Sequence, residues 1–307
     1  MDKNEIRALN NALDPLRCAW EVLSRFAVLA FALMIATRGH IAAAPFAFLL
    51  IGICQYHILV LSHEAQHILI SRNRRRNDFI GAWCLAYPFG QLFFSERARH
   101  MAHHRLVGTP ADPDYRRYML EDKRPWIPMI CYFIRLSSYG KVAEYLTSIL
   151  QNGSDRSDAE PTDEVRERAK SARSGRDFIT MAGVQFLVAL AFGLWSSPLH
   201  YILFWVMPLL VVTTTLSEFR EFCEHVVSPG TPLTLKTFRV AKWQALLLGP
   251  VGFEFHAEHH FYPSIPHYRL GDVAPLFRQS DDRCEVHGSY FEILRILARD
   301  QRREAET

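Results

Sequence analysis

Apolar and polar residues along this chain are sorted into long blocks. Residues 41–61 form an apolar run whose polar members are Gln55 and His57. Residues 178–195 contain one strongly polar residue, Gln185, and residues 201–216 follow after a short turn at Ser196, Ser197 and Pro198. Residues 26–36 are apolar but short. They reach spanning length only when extended back past Arg25 and Glu21, whose side chains must then snorkel or pair. A hydrocarbon core about 30 Å thick takes roughly 20 helical residues to cross. The pattern therefore predicts four spans, at about 20–37, 41–62, 178–195 and 200–217, arranged as two helical hairpins with short turns.

The remaining apolar stretches are interrupted. Residues 79–94 contain Pro88 and Gly90, and residues 126–136 contain Pro128 and Arg135. Both suit helices that lie at the membrane interface or cap the spans. Residues 151–177 mix charges with Ser and Gly and read as a solvated connection. Residues 287–305 read as an amphipathic helix with Phe291, Leu294 and Leu297 among its apolar members. The expected fold is an all-α membrane protein. It is read as a single domain over 1–307, with a helical cap made from 63–177 and 218–307. A soluble all-α protein is the alternative, and two opposed hairpins with consistent flanking charge argue against it.

Charge assigns a side to the cap. Arg72, Arg74, Arg75 and Arg76 follow the second span, and Lys3, Arg7 and Arg17 precede the first. By the positive-inside rule the cap is cytoplasmic, on a bacterial inner membrane or the endoplasmic reticulum. The net charge of +3 and the lack of a basic, aromatic-interleaved stripe argue against a nucleic-acid partner. The six cysteines form no Cys-X-X-Cys pair and are expected to be reduced. The charged start, with Asp2, Lys3, Glu5 and Arg7, does not resemble a cleaved signal peptide.

The histidines carry the chemistry. There are 14, and eight of them fall into three clusters: His63 with His67, then His100, His103 and His104, then His256, His259 and His260. Positions i, i+3 and i+4 share one helix face, so each cluster can aim its imidazoles into one space. A catalytic zinc uses three protein ligands and a structural zinc four, so eight imidazoles point to two metals. Imidazole suits iron, copper, nickel and zinc alike. All three clusters flank the spans on the cap side. A metal centre built from them meets an apolar substrate beneath the membrane surface. His40, His57, His200 and His287 stand outside the clusters and read as structural.

One cluster carries a rival reading. His63-Glu64-Ala65-Gln66-His67 matches His-Glu-X-X-His, the zinc-protease signature. A Leu-Asp-Gly context for a further ligand is missing, the nearest match being Leu270-Gly271-Asp272. That reading also leaves six clustered histidines unused.

Taken in order around two hairpins, the boxes resemble the membrane-bound fatty acid desaturase and hydroxylase superfamily. The similarity runs from about 41 to about 272. It includes Ser62 to His67, Arg99 to His104, Gly108 with Asp112-Pro113-Asp114, and His259-His260-Phe261-Tyr262-Pro263. The resemblance implies a di-iron site ligated by His63, His67, His100, His103, His104, His256, His259 and His260. It also implies a ninth ligand, His225, from an Asn-X-X-X-His element in which this chain carries Glu221 instead of Asn. Glu221 and Glu224 are then expected to meet the ligands through a water or a hydrogen bond.

The implied activity is O2-dependent oxidation of a C–H bond by an oxidoreductase acting on paired donors. The first-choice product is a double bond in a fatty acyl or similar lipid chain. Hydroxylation of a carotenoid, sterol or lipid is the alternative, and a metal-binding sensor without catalysis is a third reading. The chain has no heme, iron–sulfur or dinucleotide motif of its own, so a separate ferredoxin- or cytochrome-type donor is implied. Arg72–Arg76 would suit an acidic partner, although the topology rule already accounts for them.

Overall fold

The computed structural model describes residues 3–115, 175–226, 234–276 and 284–306. The helix expected at 126–136 and most of the connection at 151–177 lie outside the described residues.

Among the described residues, seven helices lead up to the first strand. They are α1 (Lys3–Asn10), α2 (Pro15–Arg38), α3 (Ala44–Gln66), α4 (Arg74–Phe79), α5 (Phe93–Leu106), α6 (Gly175–Trp195) and α7 (Pro198–His225). After α7 come β1 (Leu235–Phe238), α8 (Lys242–Leu247), α9 (His256–Phe261), α10 (Leu270–Val273), β2 (Cys284–His287) and α11 (Tyr290–Glu306). Among the described residues, four helices are long and apolar enough to cross a membrane: Pro15–Arg38, Ile41–Gln66, Arg176–Trp195 and Pro198–His225. They are the four expected from the sequence, but all four run farther at the site end. The second continues to Gln66 and the fourth to His225, so the ligand boxes grow directly out of the spans.

Local chemistry explains the ends. Asp14 caps α2, its carboxylate accepting from the backbone N–H groups of Leu16 and Arg17, with Pro15 in the first turn. Glu21 and Arg25 pair rather than snorkel. Glu21 accepts from Arg17 Nε at 3.2 Å, and Arg25 donates to the Glu21 carbonyl at 2.8 Å. In α7, Pro208 lies between two π-helical stretches, Ile202–Val206 and Leu209–Thr213, where the missing proline N–H loosens the usual ladder.

α3 forms the centre. Its Ala47, Ile51, Ile58, Leu61 and Ala65 are fully buried. α2 and α6, by contrast, expose Trp20, Leu23, Phe31, Phe186, Leu187 and Leu194. Such an outward apolar belt suits hydrocarbon rather than water. The few polar residues of the spans are turned inward and bonded. Gln55 donates to the Trp205 carbonyl at 2.9 Å, Gln185 to the Tyr87 carbonyl at 2.6 Å, and Thr213 to the Gly52 carbonyl at 2.7 Å.

Residues 74–89 form helical turns packed beside α3 rather than a span, with Ala82, Leu85 and Ala86 buried. The small sheet departs from the all-α expectation. β1 and β2 pair in parallel, Leu235 opposite Cys284 and Phe238 opposite His287. Four-residue strands are too short to show a period-2 pattern, which is why the sequence hides them. The C-terminal helix forms as expected, burying Ile293 and Leu297 against Phe222 and Phe238.

Gly52 sets the approach of α3 to α7. A Cβ there would fall 2.4 Å from Val212 Cβ and 3.0 Å from the Pro208 carbonyl oxygen. Gly52→Val is expected to push the two helices apart and cost about 1–3 kcal/mol. A lower unfolding midpoint in detergent would register it. An unchanged midpoint would show that the helices do not need this contact.

Candidate metal centre

Each histidine cluster is held by a different element. His63 stands in the last turn of α3 and His67 caps it. His100, His103 and His104 share a face of α5. His256, His259 and His260 come from α9, and His225 ends α7. Gly252, at φ +72°, makes the turn that feeds α9. A Cβ there would meet the His267 carbonyl oxygen at 2.8 Å, so only glycine fits.

All nine imidazoles converge, in two groups. His63, His67, His100, His104 and His259 bring ligand atoms within 4.8 Å of one another. On the other side, His103, His225 and His260 form one such set, and His225 and His256 another with Glu224. Each of the nine residues expected from the sequence thus lies in a potential metal site. The α5 and α9 boxes are both divided, His103 and His260 falling in a different group from their neighbours His104 and His259.

The donor arrangement fits cations. His100 Nε2 lies 2.8 Å from His67 Nε2 and 2.9 Å from His104 Nε2, and His104 Nε2 lies 3.2 Å from His259 Nε2. A neutral imidazole nitrogen carries either one proton or one lone pair. His100 and His104 therefore cannot satisfy both of their neighbours with linear hydrogen bonds. Ligands about 2.1 Å from a metal, at right angles to each other, lie about 3.0 Å apart. On the other side, His256 Nε2 lies 2.8 Å from His225 Nε2, and both buried ring nitrogens of His260 lack a hydrogen-bond partner. Burial, reinforced by the neighbouring imidazoles, holds His67 down to about 3 and His104 down to about 2. These two histidines are thus kept in the neutral form that metals take.

Carboxylates brace the ligands from behind. His103 Nδ1 is 2.9 Å from Asp112, which fixes the proton there and turns Nε2 toward the centre. Asp112 also accepts the Asp114 backbone N–H at 2.8 Å, and Asp114 is bound by Arg99. Glu224 lies 3.4 Å from His256 Nδ1 and 3.6 Å from Arg220 Nε. Glu64 lies 3.8 Å from His63 Nδ1 and accepts from His267 Nδ1 at 3.1 Å. His267 in turn meets Glu21 at 2.9 Å. Burial alone would lower the His267 pKa, but its bonds to Glu21 and Glu64 raise it to about 9. Glu221, expected near the ligands, contacts Ser217 at 3.2 Å and Arg220 at 3.4 Å.

His267, Asp112 and Arg220 were not singled out by role in the sequence. The Asp-Pro-Asp run just past the second box was the only signal available for Asp112. His40, His57 and His287 take structural places: a cap, a bond to the Leu246 carbonyl at 2.8 Å, and a strand end.

A cavity of about 130 Å³ opens beside both groups, touching His63, His100, His103, His225, His256 and His260. Glu64 is absent from its lining, being turned to His267 instead. The general-base position that a zinc protease needs is therefore not formed.

A family model described as fatty acid desaturase matches residues 39–291. Among curated proteins, a dihydrorhizobitoxine desaturase from Bradyrhizobium elkanii is 28% identical over 267 residues, covering 80% of this chain and 71% of that protein. No solved structure matches.

Asp112→Ala is expected to weaken metal retention about 10–100-fold, read by metal analysis after dialysis against a chelator. Full retention would mean that Asp112 does not orient His103. His267 yields a pH dependence. Its pKa is about 9 folded against about 6.5 unfolded. Its contribution is therefore complete below about pH 6.5 and lost as pH rises through about 9. His267→Gln should lower the unfolding midpoint at pH 6 and leave it nearly unchanged at pH 10. A deficit of equal size at both pH values contradicts this.

Proposed function

The chain belongs to the fatty acid desaturase family, and from that membership we propose an O2-dependent, di-iron oxidoreductase that introduces a double bond into a membrane-delivered acyl or similar chain. Its coarser character, a desaturase-like oxidoreductase, follows from the family and the desaturase relative. The observation that carries the finer reading is the division of nine buried or half-buried histidines into two groups. We assign His63, His67, His100, His104 and His259 to one iron, and His103, His225, His256 and His260 to the other. Carboxylates orient these ligands, and none of them is assigned as one.

An unactivated C–H bond offers no acid or electrophile for side chains to attack, so the iron pair supplies the oxidising chemistry when bound. The chain's own residues do the rest. Asp112 holds a proton on His103 Nδ1, and Glu224 faces His256 Nδ1. Tyr56, Leu59 and Val60 give the cavity an apolar wall continuous with the second span, the side from which a chain in the bilayer would arrive.

The balance is fixed by stoichiometry. Forming the alkene removes two hydrogens from adjacent carbons. Those two electrons, with two more from a donor and two protons from solvent, reduce O2 to two waters. The donor is assigned to the ferredoxin or cytochrome class. We place the cap on the cytoplasmic face, from the Arg72–Arg76 cluster. The relative is named for dihydrorhizobitoxine, so membership alone does not confine the substrate to fatty acids. Hydroxylation on the same scaffold differs only in returning an oxygen atom to the carbon.

The test is expression in membranes with a reduced donor, followed by mass spectrometry of the lipid and small-acid fractions. New unsaturation that needs O2 and two irons per chain is expected. His103→Ala and His259→Ala should each abolish product and lower bound iron. Product surviving either change, or zinc-dependent peptide hydrolysis without O2 uptake, would sink the di-iron assignment.

A further inference from the structure

Arg220 is out of place in a cavity meant only for hydrocarbon. It lies in the last two turns of α7, lines the cavity and is 7% exposed. Its Nε and Nη1 have no hydrogen-bond partner. The acidic neighbours engage it only loosely. Glu221 accepts from Nη2 at 3.4 Å, and Glu224 lies 3.6 Å from Nε. Its flat face rests on the Phe253 ring at 4.3 Å, which fixes the plane of the guanidinium. Its Nε side faces these acids, which leaves the terminal Nη1 edge with an unmet donor, and such an edge on a buried guanidinium is costly unless something else fills it.

Shape and charge agree on what fills it. A cavity of about 130 Å³ is close to the size of an engineered cavity of about 150 Å³ that accepts benzene. The space beside the ligands is therefore comparable to a six-carbon fragment. Glu96, Asp114, Glu221 and Glu224 line the cavity against Arg99 and Arg220; two bound dications would outweigh that excess of acid, so the loaded cavity favours an anion. The guanidinium fork matches a carboxylate, two parallel bonds to one planar group. Tyr56, Leu59 and Val60 supply the apolar surface for the carbons attached to it.

We propose that Arg220 binds the carboxylate of the substrate inside the metal-site cavity, so that the chain oxidises a carboxylic acid within a few carbons of its acid group. This rests on the di-iron reading above and adds the substrate class and the position of attack. The acid is either a short free molecule or the end of a longer chain, and the chemistry at Arg220 is the same for both.

The test uses the full chain in lipid nanodiscs, metal-free and zinc-loaded, with hexanoate and methyl hexanoate as probes in ligand-observed NMR. Hexanoate is expected to bind at least about tenfold better than its ester. Arg220→Gln should bring the acid down to the level of the ester, and Arg220→Lys, which keeps the charge without the fork, should fall between. Zinc content close to wild type in both variants shows that the ligand cluster survives. Equal binding of acid and ester to the wild type overturns the proposal without needing any variant. Hexanoate affinity unchanged in Arg220→Gln overturns it too, because the acid would then be sitting on the metals alone.

With iron and a reduced donor, hexanoate and stearate separate the two sources. Oxidation of either near the acid end supports the inference, and mid-chain oxidation of stearate that is indifferent to Arg220→Gln refutes it. Loss of two-metal binding in the wild type would instead defeat the di-iron reading, while the acid-over-ester preference is still read on the metal-free chain.

Discussion

Keeping nine imidazoles crowded together, four of them buried and five half-buried, is the constraint on which the structure depends. Apolar side chains could fill the same space at less cost. Lone pairs directed at one another gain nothing from water they cannot reach, and hydrogen bonds can satisfy only some of them. The arrangement makes physical sense when cations occupy the two points on which the nitrogens converge. Everything near the site serves that purpose. The second and fourth spans run on past the apolar belt to deliver His63 and His225, and α5 and α9 bring their boxes in from the cap.

A second layer keeps those rings from turning. Asp112 grips His103, Glu224 faces His256, and Glu64 lies behind His63. Each of these acids is itself approached by a positively charged group or a backbone donor: the Asp114 N–H for Asp112, Arg220 for Glu224, and protonated His267 for Glu64. Ligand, acid and cation alternate outward from the centre. This alternation explains how so much charge is buried beside the ends of apolar helices. It also gives the His-Glu-X-X-His motif a meaning unlike that of a protease, since its Glu is spent on His267.

Much of this was legible in the sequence because helical spacing is a strict code. Three histidines at i, i+3 and i+4 must share a face, and runs of about 20 apolar residues have few uses. Eight ligand candidates and four candidate spans could therefore be read directly, while His225 came only through the family resemblance. What spacing could not convey was the partition. His103 and His104 are adjacent in the chain yet belong to different groups, as are His259 and His260. Only the angle between α5 and α9 decides that. Likewise, nothing local marks His267, which gains its role from two acids far away in sequence. The parallel pairing of β1 with β2 was invisible for the same reason: its information lies in a long-range contact between two short segments.

The Glu21–His267 contact has a consequence for biosynthesis. Glu21 lies in the first span, which supplies no metal ligand, while its partner follows the last histidine box. A ribosome adding about 5–20 residues per second makes the first segment wait on the order of ten to fifty seconds for that partner. Through that interval the acid has only Arg17, its partner in the same helix, for company. Assembly of the site therefore closes on its own beginning, and a chain truncated before His267 keeps the first span packed on the second but loses the tie between Glu21 and the acid behind His63.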